Sequence, residues 1–221
     1  MTAVRGRAGT FTRVALLVGL AGLLAAAGCS GDSTDAGSTP SSSTSPSSAA
    51  TPVASPTVPA GWTGAQQGSL AFALPPGFTK RPEGSGMPGA AAQWTNTSDA
   101  KLAIPPAVAV FVETGAVGPL EVRTDLVGKA RSAELGAQPV GPAATVDVPG
   151  STGAKSLEWV WDYAPVQGQP AVPSRQVEVV VQTAGDEQYG LLIGGPASYL
   201  TDEIVDSFLS SIAVVTPGAG A

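Results

Sequence analysis

Apolar positions recur along residues 61–216 with two periods, and the switches between them divide the chain into elements. Residues 69–74 alternate as a short strand that ends at the turn signal Pro75-Pro76-Gly77. Residues 92–96 read as a weaker strand. Residues 107–113 read as a strong one, with Val108, Val110 and Val112 on one face and Ala109 and Phe111 on the other. Pro119, well suited to a first helical turn, opens a helix to about residue 135, in which Leu120, Leu126, Val127, Ala130 and Ala133 recur at helical spacing and Gly136 supplies the stop. Four more strands follow, at 144–148, 155–163, 176–183 and 189–193, with turns at Gly150-Ser151-Thr152-Gly153 and Gly185-Asp186. A last helix over about 197–211 carries Leu200, Ile204 and Phe208 at steps of four, with Asp202 and Glu203 complementing its dipole. Consecutive strands with short links pair antiparallel, so the order predicts an α+β domain in which helices cover a twisted antiparallel sheet.

The first sixty residues carry a different pattern. Arg5, Arg7 and Arg13 precede an apolar run over 14–27, the layout of a secretion signal that is removed. Fourteen residues as a helix would cover roughly 21 Å, short of the roughly 30 Å hydrocarbon core, so a permanent span fits poorly. The run ends in Ala25-Ala26-Ala27-Gly28-Cys29, which resembles the lipobox of bacterial lipoproteins, where the cysteine is acylated and becomes the first residue. Ala26 stands where leucine is commoner, and plain cleavage after Ala27 is the competing reading. Cys29 is the chain's one cysteine, and an exported protein with an unpaired thiol elsewhere would carry a redox liability. The residues divide into a signal peptide at 1–28, the lipidated Cys29 and a linker to 60, one globular domain at 61–216, and a tail at 217–221. Between 30 and 60, Ser, Thr and Pro make up 20 of 31 residues, a composition that cannot bury enough apolar area to offset chain entropy. That segment reads as a spacer, with its hydroxyls open to glycosylation.

Several features of the predicted domain match a known pattern: Phe72-x-Leu74-Pro75-x-Gly77-Phe78, one central helix after the third strand, a strand-rich middle, and the close Phe208-Leu209-Ser210-Ser211-Ile212-Ala213-Val214. Together with the lipobox and linker they resemble the LpqN-type lipoproteins of actinobacteria, although Phe78 stands where that family often has tryptophan. The resemblance implies the PsbP-like α/β/α sandwich, named after an extrinsic subunit of photosystem II, and an address in the cell envelope. It carries over no catalytic residue.

Charge and composition exclude several kinds of chemistry. The full chain has 11 basic and 17 acidic residues, and loss of the signal removes three of the basic ones, so the mature protein is more acidic than the whole chain's net −6. With no basic cluster it lacks the phosphate-neutralising surface that nucleic acid requires, or a hold on anionic lipid headgroups. Histidine is absent, which removes Ser-His-Asp and Cys-His catalysis and histidine metal ligation, and no spaced acidic loop supports calcium. No cofactor is expected. Gly84-Ser85-Gly86-Met87-Pro88-Gly89 fits G-x-G-x-x-G, but no strand precedes it and Pro88 has no N–H to offer a pyrophosphate. Ser98-Asp99-Ala100-Lys101 fits S-x-x-K, but Pro105 and Pro106 break the helix that such a pair needs. Glu158 and Asp162 on one strand face lie roughly 13 Å apart, beyond the 5–9.5 Å of glycosidase pairs. Asp202 and Asp206 share a helix face and serve the dipole and solubility. The chain therefore reads as a non-enzyme.

The remaining candidate is a binding surface. Leu157, Trp159, Trp161 and Tyr163 alternate onto a single strand face. That face either packs under a helix or lines an apolar pocket or groove for a lipid or an envelope protein. The Pro-containing loop over 164–174 would form the rim. Two functions stay open: an interaction module that docks onto envelope proteins, or a carrier or chaperone for an apolar envelope molecule. In both, the lipid on Cys29 holds the protein to the outer face of the cytoplasmic membrane. A carrier needs a solvent-connected cavity of several hundred Å3, whereas a docking module exposes an apolar patch.

Overall fold

A computed structural model describes residues 55–98, 102, 104–115, 118–164, 170–185 and 187–215. The signal peptide, Cys29, most of the linker and the tail lie outside the described residues. Ten strands and two helices are present among those described: β1 (Thr63–Gln67), β2 (Leu70–Leu74), β3 (Phe78–Lys80), β4 (Ala92–Asn96), β5 (Ala107–Thr114), α1 (Leu120–Leu135), β6 (Ala144–Thr145), β7 (Gly153–Tyr163), β8 (Val172–Gln182), β9 (Glu187–Pro196), α2 (Asp202–Ser210) and β10 (Ala213–Val214).

Seven strands form one antiparallel sheet in the order β3-β4-β5-β9-β8-β7-β6. Its heart is the β7-β8-β9 meander, and β9 returns to pair with β5 from Ala107↔Gly194 to Thr114↔Glu187. Alternation gives the two faces opposite characters. One carries Val177, Val179 and Val181 of β8 with Leu191 and Ile193 of β9 and Val108 and Val110 of β5, all buried. This face holds the main core. Over it lie α2, through Val205 and Phe208, and a second sheet ordered β1-β2-β10, through Leu70, Phe72 and Leu74. Phe72 meets Trp94 edge-on at 5.3 Å. The other face carries Gln176, Glu178 and Val180 of β8, and α1 covers its β7-β8 side. Helices on opposite faces of a mainly antiparallel sheet make the expected α/β/α sandwich.

The second sheet is an addition to that expectation. β1 reads Thr-Gly-Ala-Gln-Gln and β10 is two residues long, so neither carries an apolar alternation of its own; pairing with the wholly buried β2 organises them. Tyr189 ties the two sheets together, its hydroxyl accepting from the Ser69 amide at 3.0 Å and donating to Glu187 at 2.8 Å. Gly68 allows this approach, since a Cβ there would overlap the Tyr189 hydroxyl.

Both helices differ in detail from the pattern. α2 begins at Asp202, because the Pro196 carbonyl accepts from the Tyr199 and Leu200 amides in a turn that precedes Thr201, whose hydroxyl caps Ile204 N at 3.4 Å. α1 ends as expected, at a left-handed Gly136. Its inward stripe is Leu120, Thr124, Val127, Arg131 and Leu135; of the five apolar residues at helical spacing, Leu120 and Val127 turn inward while Leu126, Ala130 and Ala133 face solvent. The sheet beneath α1 mixes the apolar Leu157, Trp159 and Val180 with the buried Glu178, and the helix answers with Val127 and Arg131.

Candidate functional site

The face under α1 combines residues that a core ordinarily avoids. Cross-strand partners share a face, and one row across the sheet reads Thr95, Ala107, Gly194, Gln176, Trp159. The next reads Gln93, Ala109, Leu192, Glu178, Leu157. Glu178 is 2% exposed and pairs with Arg131 of α1 at 2.8 Å, while Arg131 also reaches Glu134 at 2.6 Å and lies over the Phe111 ring at 4.9 Å. Burial lowers the Arg131 pKa, but the two carboxylates outweigh it and leave the guanidinium above its ordinary value. Burial lifts the Glu178 carboxyl above its own ordinary value, with Arg131 offsetting only part of the rise. The pair therefore fixes where α1 sits without fully compensating the dehydration of the carboxylate.

The aromatic row divides where α1 ends. Trp159 is fully buried with Leu157, Val127 and Val180, and its indole donates to Ser132 Oγ at 3.3 Å. It belongs to the core, which corrects its assignment to a ligand or partner surface. Trp161 is half-buried and Tyr163 is 43% exposed. Both line a solvent-open slot of about 140 Å3, together with Met87 and Pro105, over the small residues Ala107 and Gly194. Gln176 also lines it, 5% exposed, and its Nε2 has no hydrogen-bond partner among the described residues. Ser174, at the end of the proline-containing connection, lines the slot as well and donates to Val172 O at 3.0 Å. Strand β8 begins at Val172, so that connection is shorter than expected and Pro173 lies within the strand; residues 165–169 fall outside the described residues.

A larger opening lies beside α1. A groove of about 670 Å3 runs between the helix, at Thr124, Gly128, Ser132 and Ala133, and the segment carrying Pro139 and Pro142, with Leu157 also lining it. Lys129 and Asp125, paired at 2.6 Å, lie on its border. Val122 and Leu126, each more than half exposed, lie on the outer side of α1 beyond that ion pair, and Val140 of the groove segment is exposed too. The 3.6-residue repeat of these residues is visible in the sequence, but which side of the helix they occupy is decided by the Arg131–Glu178 pair.

The other motifs resolve into structure. Glu158 accepts from Arg175 at 2.8 Å, and Arg175 reaches on to Asp202 and to Leu200 O, a clamp between β8 and the start of α2. In the Gly-rich segment, Gln93 accepts from the Met87 amide at 2.6 Å, which folds the loop toward β4. Ser98 donates to Asn96 at 2.6 Å, while Asp99 to Lys101 lie outside the described residues. No cluster of three or more metal-ligating side chains occurs among the described residues.

No protein-family model matches the chain, and no curated protein matches its sequence. Solved structures do. The cyanobacterial PsbP (CyanoP) of Synechocystis sp. PCC 6803 superposes with a TM-score of 0.51 at 12% identity, covering 70% of this chain and 93% of that one. LpqN of Mycobacterium tuberculosis, involved in cell envelope biogenesis, gives 0.45 at 17% identity over 70% and 90%. The Saccharomyces cerevisiae Ran-binding protein Mog1p gives 0.44 at 12% over 70% and 97%. The first of these makes the fold PsbP-like, and at such identity the likeness extends to the fold alone.

Proposed function

We propose that this protein is a non-catalytic, lipid-anchored envelope module that docks onto other envelope proteins through the outer side of α1. The observation that carries this reading is the exposed pair Val122 and Leu126 on the outer side of α1, beside a groove of about 670 Å3 whose near border is the Asp125–Lys129 pair. Two apolar side chains left in solvent beside a groove with a floor of small residues and a charged border of Glu121, Asp125, Lys129 and Lys155 suit a partner that lays an apolar helical ridge along it. The partner proposed is thus a protein with an apolar helical edge. The lipobox-like Ala25 to Cys29 and the Ser/Thr/Pro linker support an anchor on the outer membrane face, with reach beyond it, and with the quoted motifs they support placing the chain among LpqN-type lipoproteins.

The groove's volume favours a second reading, a carrier of an apolar envelope molecule, because drug-sized ligands occupy roughly 300–1,000 Å3. One pair of experiments separates the two. A photo-crosslinking residue at Leu126 of the full chain, in the envelope, is expected to yield a discrete protein adduct that Val122→Lys removes and that the same probe at Glu203 on α2 does not give. Equal adducts at both positions, or none, would overturn docking. A native mass spectrum after incubation with envelope lipids, showing a discrete added mass that Ala133→Trp abolishes, would establish the carrier instead. Cys29→Ser is expected to release the protein from the membrane fraction.

A further inference from the structure

A pocket of about 230 Å3 opens at the β3 edge of the seven-stranded sheet, between β3, β4 and the Gly-rich segment that joins them. The Arg81 amide donates to Gln93 O at 2.8 Å and carries the β3–β4 register one step past Lys80↔Trp94. Arg81 and Gln93 therefore share one sheet face, while Lys80 lies on the other, over the Trp94 ring at 5.6 Å. The segment curls over the Arg81–Gln93 face. The Met87 amide donates to Gln93 Oε1 at 2.6 Å, and Gly86 permits the approach, since a Cβ there would stand 2.5 Å from the same oxygen. A strand does precede this G-x-G-x-x-G run, but the chain returns from it as β4, so no helix N-terminus is present to hold a pyrophosphate.

Three side chains give the pocket its chemistry. Among the described cations, Arg123, Lys129, Arg131, Lys155 and Arg175 each hold a carboxylate and Lys80 holds an aromatic ring. Arg81 has no such partner among the described residues, in a chain whose carboxylates outnumber its cations. An exposed guanidinium left in that state is open to a ligand's carboxylate. Gln93, on the same face, is 9% exposed and is held by its carbonyl end at Met87. Its Nε2 has no partner among the described residues and is not enclosed by the protein, so a donor of set direction faces the pocket. Glu83, two residues beyond Arg81, also lines the pocket and pairs with no described cation, Arg81 included.

The rest of the lining narrows the class of ligand. Pro82, Gly84, Gly86 and the run Ala90 to Ala92 add no polar side chain, so the site presents one cation, one anion and one neutral donor beside a wall of methyl groups. A ligand carrying both charges meets Arg81 and Glu83 at once. A wholly anionic ligand such as phosphate sets itself against Glu83, and a wholly cationic one against Arg81. The pocket's 230 Å3 is the volume of about eight water molecules in the liquid, room for a small amino acid and too little for a nucleotide. We propose that this pocket binds a small zwitterionic amino acid, with its α-carboxylate on Arg81 and Gln93 Nε2, its α-ammonium on Glu83, and its side chain against Ala90 and Ala91. The site is separate from the α1 groove and does not depend on docking there.

The test is an NMR titration of the isotope-labelled full chain with L-alanine, read at the Arg81 Nε–H and the Gln93 side-chain amide. Both signals are expected to move saturably while the Trp159 indole, under α1, stays in place. Acetate and ethylamine carry the two charges on separate molecules, and neither is expected to give a saturable shift over the same concentrations. Arg81→Gln and Glu83→Gln each remove one charge from an exposed side chain and are expected to weaken alanine binding about tenfold, the equivalent of one charge-assisted hydrogen bond. Gly86→Ala presses the loop away from Gln93, and is expected to move the Gln93 amide signal before ligand is added and to weaken binding as well. An unchanged Trp159 indole signal in each variant shows that the fold is kept, and the two charge variants suffice if Gly86→Ala fails that check. Absence of a saturable shift with alanine overturns the proposal, as does alanine binding that neither charge variant weakens. An equal shift with acetate or inorganic phosphate overturns it too, and would mean an adventitious ion only.

Discussion

Trp159 and Trp161 are two residues apart on one strand face, yet their surroundings give them different work. Trp159 fills the space under α1 and donates to Ser132, so Trp159→Ala removes a complete buried side chain and leaves a cavity. We expect a loss of about 3–5 kcal/mol, measured by urea denaturation. Trp161 is half-buried at the slot, and Trp161→Ala should cost about 1–2 kcal/mol, in proportion to the smaller area it covers. Equal losses would mean that the row acts as one core element and that the slot has no separate identity. The sequence made the row visible, since alternation alone puts these side chains on a common face. It could not place the end of α1 above them, because that depends on Arg131 finding Glu178 47 positions away. Nor could it reveal Gln176, whose Nε2 has no partner among the described residues, its cross-strand neighbours being Gly194 and Trp159.

At the scale of elements, α1 shows what patterning can and cannot settle. Its limits were legible from Pro119 and Gly136, both of which act locally. Its orientation was not, because Leu126, Ala130 and Ala133 form as good an apolar stripe as the one the structure buries. The Arg131–Glu178 pair decides between them, and it should therefore respond asymmetrically to substitution. Arg131→Ala leaves a dehydrated carboxylate and should cost about 3–5 kcal/mol, whereas Glu178→Gln leaves Arg131 with Glu134 and Phe111 and should cost less than about 1 kcal/mol. The pH dependence follows from the raised Glu178 pKa. The folded state holds this proton more tightly than the unfolded chain does, so the contribution to stability is complete below the unfolded carboxyl pKa and is lost as pH rises through the folded one. Glu178→Gln should remove that fall from the stability profile, as read by urea midpoints across the acid range. A profile unchanged by the substitution would show that the folded and unfolded carboxyls titrate alike. The strands missed from sequence, β1, β3 and β10, are short or polar and exist through their pairing with β2 and β4.

For the whole molecule, the same asymmetry between faces sets which layer opens first. The sheet face toward α2 buries an extensive cluster running from Leu70 through Val179 to Ile212, tied across by Tyr189 and Ser69 and by Ser211, which accepts from the Ala73 amide at 3.0 Å. The face toward α1 buries the smaller cluster of Val127, Leu157, Trp159 and Val180, and beside it lie a dehydrated ion pair and amide atoms of Gln176 and Gln188 that have no partner among the described residues. Local opening follows buried apolar contact, so α1 should detach from the sheet at lower free energy than the sheet needs to unfold. Hydrogen exchange is expected to give α1 amides clearly less protection than those of β8 and β9, whose ladders lie inside the sheet on both sides. Equal protection throughout would mean that the polar interface holds as firmly as the apolar one. A helix that loosens independently also bears on docking. A partner seated along Val122 and Leu126 would bind the closed helix and not the detached one, and by linkage should raise α1 protection while leaving β8 and β9 at the global limit. Such a change confined to α1, measured with and without the crosslinked partner, would join the docking surface to the layer of the fold that carries it.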